Sequence, residues 1–190
     1  DAEIMANLGR PNVHPEGRFY PDTYTYAKGS TDLAVMQRAL KAMDRHLAKI
    51  WAQKSSAVAF SNPDELLILA SIIEKETGRA SDRPLISAVF HNRLKMGMRL
   101  QTDPTVIYGL GDAFDGNLRR VDLRTDTPYN TYTRAGLPPT PIAMPGKPAL
   151  MAAISPAASS AIYFVAKGDG SSHFSQSLNE HNNAVNKYQR

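Results

Sequence analysis

Apolar positions along the chain fall into helical periods first. Leu33, Met36, Leu40, Met43, Leu47 and Ile50 recur at alternating spacings of three and four, which predicts one apolar stripe on a helix of about six turns. Ser30-Thr31-Asp32 supplies its N-cap. A second helix is predicted to open at Asn62-Pro63-Asp64-Glu65 and to stop at Gly78. A third starts at Pro84, turns Ile86, Val89, Phe90 and Leu94 inward, and stops at Gly97. From Leu100 to Pro148 the helical period fades and six prolines crowd between Pro128 and Pro148. This stretch reads as a long, structured, proline-rich loop, and such loops are more often functional than idle. Ala161 to Ala166, Gly168-Asp169-Gly170 and His173-Phe174-Ser175 predict a β-hairpin. Leu178, His181, Val185 and Tyr188 then predict a closing helix. The first 30 residues, rich in proline, glycine and aromatics, read as an ordered irregular arm. The expected fold class is α+β: one mainly helical domain over residues 1–190, with a C-terminal hairpin and the long loop.

Composition narrows the chemistry more than the fold. The 190 residues are 42% hydrophobic and 21% charged, ordinary for a folded domain. Cysteine is absent, which removes disulfides, thiolate metal sites and cysteine nucleophiles together. None of the five histidines stands at metal-ligand spacing from another, so no metal is expected. A nucleophile elbow and a phosphate-cradling glycine loop are both missing. The net charge of +4 is spread evenly along the chain, a solvated surface more than a nucleic-acid patch. The longest apolar run, Leu66 to Ala70, is far short of the ~20 residues a spanning helix needs. Because the chain opens on Asp1, the expectation is a piece excised from a longer protein.

Three clusters could carry chemistry. Ser71-Ile72-Ile73-Glu74-Lys75-Glu76-Thr77-Gly78 puts two glutamates in the last turn of a helix, where the macrodipole disfavours negative charge. Glu76 follows Ile73, Ile72 and Leu69 at three, four and seven residues, along the apolar stripe. Glu74 follows Ser71, Ala70 and Leu67, a smaller and more polar row. Burial and the dipole would both raise the carboxyl pKa of Glu76, which suits a general acid; two exposed carboxylates at a frayed end are the alternative. The second cluster, Gln101, Thr102, Asp103 and Thr105, gathers amide, hydroxyl and carboxylate groups around Pro104, an array fit for a polyhydroxylated or amide-bearing ligand. In the third, Tyr129 and Tyr132 flank Asn130, so that aromatic faces and an amide could hold a sugar ring. Turn chemistry would also account for both loops.

At these residues the chain resembles the YceG/MltG-like endolytic murein transglycosylases. The resemblance rests on Glu16 to Tyr24, Ala70 to Thr77, Phe90 to Leu94, Arg99 to Gly109, Pro128 to Tyr132, Gly136 to Pro139 with Ile142-Ala143, Tyr163 to Ala166, and Phe174, His181 and Asn182. It implies an enzyme that cuts peptidoglycan glycan strands between N-acetylmuramic acid and N-acetylglucosamine, leaving a 1,6-anhydro end by lyase chemistry. The family's catalytic glutamate falls on Glu76, with Glu74 as the fallback. Gln101, Thr102, Asp103, Thr105, Tyr129, Asn130 and Tyr132 become the expected substrate-binding residues, and Thr77 an expected orienting neighbour. No cofactor and no metal are implied. The resemblance also implies a membrane anchor and a small LysM-like module outside this chain. It places the protein at the periplasmic face of the bacterial inner membrane, with penicillin-binding synthases as possible partners. The competing readings are a hydrolytic muramidase using Asp103 as second carboxylate, and a non-catalytic peptidoglycan-binding scaffold.

Overall fold

The computed structural model describes residues 2–54, 58 and 60–189. Helix α1 spans Ala2–Asn7, α2 Asp32–Trp51, α3 Pro63–Glu76, α4 Arg83–Lys95, α5 Asp103–Leu110, α6 Lys147–Ile154 and α7 Leu178–Tyr188; strands β1 (Tyr163–Ala166) and β2 (Ser172–Ser175) precede α7.

Helix α3 is the axis of the core. The Asn62 side chain accepts from Glu65 N at 3.0 Å, and Pro63 begins the first turn. Every residue from Leu66 to Ile73 is buried, because a helix apolar on all sides belongs inside. It packs against α2, α4, α5 and most closely α6. Ala149, Ala152 and Ala153 on α6 are buried with Leu150 and Ile154, so small side chains let the two helices approach. Helix α2 is amphipathic, as its period predicts, and buries Leu40, Met43, Leu47 and Ile50. The arm is fastened to it by Tyr20 N donating to Ala39 O at 3.1 Å and by Tyr20 stacking on His46 at 4.1 Å. Gly17 has φ +79°, and a Cβ there would fall 2.6 Å from Pro141 Cβ, so both backbone and space require glycine.

The α+β class, the three long helices, the hairpin and the closing helix agree with the sequence reading. Three short helices do not. Residues 100–148 are not one loop: Asp103-Pro104 forms the first turn of α5, and Lys147-Pro148 that of α6. Helix α1 lies inside the irregular arm. Each has six or eight residues, too few turns for a period to show, and tertiary packing stabilises them. Between Phe114 and Gly146 the described backbone is turns and bends without helix or strand.

The hairpin pairs Tyr163 with Ser175, Phe164 with Phe174, Val165 with His173 and Ala166 with Ser172. Three successive side chains of α4 hold this half of the molecule. His91 Nε2 donates to Ala153 O (2.8 Å) on α6. Asn92 Nδ2 donates to Ser159 O and Ala161 O (both 2.9 Å). Arg93 Nε donates to Ile162 O (2.7 Å). The last turns of α4 are thus a clamp between the helical core and the hairpin.

Candidate active site

The end of α3 opens into a cleft of about 530 Å³, within the ~300–1,000 Å³ usual for small-molecule sites. One wall is polar: Glu76, Gln101, Thr102, Asp103 and Tyr132. The facing wall comes from β1 and α7 and carries Phe164, Val165, Leu178 and Val185. The apolar stripe of α7 is therefore not core packing. Only Ala184 of that helix is buried, and Leu178 is 56% exposed.

Glu76 follows the stripe of α3 to its end. Burial pushes its carboxyl up to about 7; the Asp103 charge adds to this, while the Thr102 hydrogen bond and the Arg93 charge act against it. Thr102 Oγ1 donates to Glu76 Oε1. Thr102 is itself fixed by its backbone N–H donating to Thr131 Oγ1 at 3.1 Å. Glu74 turns elsewhere. Its Oε2 accepts from Gly146 N at 3.1 Å, at the N-terminus of α6.

Beside Glu76, Tyr132 OH donates to Asp103 Oδ1 at 2.5 Å, and burial together with that bond raises the phenol pKa. Gln101 has φ +50°, a left-handed conformation uncommon outside glycine, and its N–H donates to Thr131 O at 3.1 Å. This bend delivers Thr102 to the glutamate.

The remaining predicted residues lie outside the cleft lining. Thr105 is fully buried, donating to Thr102 O at 2.7 Å and sharing a 2.8 Å bond with Thr131 Oγ1. Asn130 is also fully buried; its Nδ2 donates to the carbonyls of Asp122, Leu123 and Thr125, and its Oδ1 accepts from Tyr132 N. Tyr129 packs against the core and meets Thr140 Oγ1 at 2.8 Å. Thr77 caps α3, its backbone N–H reaching Ile73 O, and its Oγ1 accepts from Arg79 N.

Sequence reasoning passed over Arg93, Tyr163 and the α7 wall. Arg93 follows Val89 and Phe90 by four and three residues, so a cation on the inward face was the available signal. It is 7% exposed, lines the cleft, and lies 5.2 Å from the Tyr163 ring centroid. His181 stacks on Tyr163 at 5.1 Å, and burial plus the Arg93 charge lower its pKa. Among the described residues no cluster of three or more His, Asp or Glu side chains is placed to hold a metal ion.

Comparison with known proteins converges on one family. Residues 2–187 match the YceG-like family. A Bacillus subtilis (strain 168) protein named endolytic murein transglycosylase is 40% identical over 176 residues, 92% of this chain and 48% of its own length. A protein of the same name from Streptococcus pneumoniae serotype 2 (strain D39 / NCTC 7466) is 32% identical over 176 residues, 90% of this chain and 31% of its own length. The chain thus spans about half and about a third of these curated relatives. The crystal structure of a yceG-like protein from Listeria monocytogenes superposes with a TM-score of 0.81 at 38% identity, covering 96% of this chain and 64% of that one. With the match running nearly end to end, this chain belongs to the YceG-like family.

Proposed function

We propose that this chain is the catalytic unit of an endolytic peptidoglycan transglycosylase. It cleaves the bond between N-acetylmuramic acid and N-acetylglucosamine and leaves 1,6-anhydro-muramic ends, with Glu76 acting first as acid and then as base. The observation that carries this reading is the Glu76 carboxyl lining a cleft of about 530 Å³, with burial pushing its pKa up to about 7. Such a group keeps a proton near neutral pH and can take one back. The names of the B. subtilis and S. pneumoniae relatives support the substrate.

The chemistry needs one carboxyl group. Thr102 donates to Oε1 of Glu76, which leaves Oε2 to carry the acid proton. That proton passes to the glycosidic oxygen as its bond to C1 of the muramic residue breaks. The C6 hydroxyl of the same residue attacks C1, and its proton returns to Glu76. The attack is intramolecular, so water is not consumed and Glu76 ends as it began. Gln101, Asp103 and Tyr132 bind the strand along the polar wall, and Phe164, Leu178 and Val185 meet the apolar faces of its sugars. Thr105, Asn130 and Tyr129 serve from behind, by shaping the wall that carries Thr102 and Tyr132. With this substrate the enzyme works where strands are laid down, at the periplasmic face of the inner membrane, beside the penicillin-binding synthases that make them.

The test is digestion of purified glycan strands with mass spectrometry of the products. Anhydro ends, one water lighter than reducing ends, are expected, and Glu76→Gln abolishes cleavage while strands still bind. Water-bearing ends would favour hydrolysis with Asp103, which lines the same cleft. Uncut strands bound by the unaltered protein would leave a scaffold role.

A further inference from the structure

Arg93 is a buried cation lining the cleft that also holds Glu76, a group that is neutral for half of the proposed cycle. Its Nε donates to Ile162 O at 2.7 Å, and its Nη1 donates to Leu100 O at 2.6 Å and, more weakly, Arg99 O at 3.4 Å. Among the described residues Nη2 takes no hydrogen bond and the guanidinium makes no salt bridge. Carbonyl oxygens orient the fork, yet a neutral amide could meet them at lower desolvation cost than a buried charge. With Cζ 5.2 Å from the Tyr163 ring centroid, the positive charge shares the cleft with Glu76, the group it can serve beyond clamping the hairpin to α4.

We infer that Arg93 is the positioning cation for Glu76: held by the Leu100 and Ile162 carbonyls against the same cleft, it balances the carboxylate that proton donation leaves behind. This rests on the reading of Glu76 as acid and then base. A carboxylate in a desolvated site is costly unless a fixed charge faces it. Without Arg93 the proton would leave Glu76 reluctantly, and the acid half of the cycle would be slow. The charge and the burial act in opposition on Glu76, which keeps its affinity close to neutral. Other titratable groups face the same space: Asp103 and Tyr132 from the polar wall, Tyr163 from β1 and His181 from α7. Of these Asp103 is the one other carboxyl group, and Tyr132 OH already donates to it.

The deciding experiment follows the ionisation of Glu76 by carboxyl carbon NMR, beside the pH dependence of kcat/KM on glycan strands, in Arg93→Gln and Arg93→Lys. Loss of the charge is expected to tighten proton binding by Glu76 about threefold or more, moving the ionisation midpoint and the alkaline limb upward together. Arg93→Lys, which keeps charge without the fork, is expected to restore the midpoint while leaving the rate low. A midpoint unchanged in Arg93→Gln would overturn the inference and leave Arg93 a clamp. If Arg93→Gln does not fold, the unaltered protein still decides. The Arg93 Nε resonance should step with pH near 7 and lose that step in Glu76→Gln; no step overturns the inference. These signals do not require turnover. An active Glu76→Gln enzyme would sink the catalytic reading by itself, whatever the NMR shows.

Discussion

Glu74 and Glu76 stand two residues apart at the end of α3, and they enter opposite surroundings. Glu74 meets the backbone N–H of Gly146 where α6 begins, a place that favours negative charge. Glu76 meets the Thr102 hydroxyl in a cleft where burial works against its ionised form. One carboxyl group is fastened to a backbone N–H, and the other is held by burial toward its protonated form. The helix turns each residue by about 100°, so two positions on point to nearly opposite sides. The largest expected effect separates them outright. Glu76→Gln should lower strand cleavage ~1,000-fold or more, as loss of a general acid and base does, while Glu74→Gln stays within a few-fold of the unaltered rate. Product counting by chromatography checks this, and the reverse ranking breaks the comparison.

The second expectation concerns pH. With the Glu76 carboxyl at about 7, kcat/KM should fall about tenfold per pH unit on the alkaline side, as the acid form is lost. A rate that stays flat to pH 9 would mean that another group supplies the proton.

How much of this contrast was legible beforehand differs from residue to residue. The long helices announced themselves because α2 and α3 carry a cap and enough turns for a stripe to repeat. Glu76 was legible for the same reason: a carboxylate continuing an apolar row must be buried or costly. Asn130 shows the opposite case. An amide between two tyrosines has the right chemistry for a sugar, but its hydrogen-bonding capacity goes to three backbone carbonyls and Tyr132 N. Residue type tells what a side chain can do, and only the fold tells which way it faces. Leu178 and Val185 mark the same limit, since an apolar stripe on a helix does not say whether core or ligand covers it. Arg93 had a visible signal, yet its carbonyl partners Leu100 and Ile162 lie in segments without periodicity.

A third expectation is energetic. Between pH 4.5 and about 7 the unfolded chain has released the Glu76 proton and the folded chain still holds it. The folded state therefore binds more protons, and stability falls as pH rises through that window. The gap, at about 1.4 kcal/mol per unit, corresponds to about 3 kcal/mol, present in full above pH 7 and absent below pH 4.5. Glu76→Gln removes the penalty. Urea unfolding should find it more stable than the unaltered protein at pH 8 and nearly equal to it at pH 4. Equal stability at both pH values would mean that Glu76 is solvated and the comparison with Glu74 has lost its cause.

Glu74 has the smallest expected effect and the most specific ordering. Glu74→Ala leaves the Gly146 N–H without its acceptor at the start of α6, the helix that packs most closely on α3. Loss of one such partner costs about 1–2 kcal/mol. Glu74→Gln keeps a carbonyl oxygen for that N–H and loses only the charge at the helix N-terminus, about 0.5 kcal/mol. Unfolding midpoints in urea should therefore rank unaltered protein, Glu74→Gln, Glu74→Ala, with the slope of the transition unchanged and cleavage nearly intact in both. The effect on Glu74 should have the opposite sign to that on Glu76 at pH 8, because one glutamate stabilises the fold it belongs to and the other strains it. If both substitutions at Glu74 raise the midpoint, its carboxylate is also held against a desolvation cost, and the two ends of the turn are alike after all.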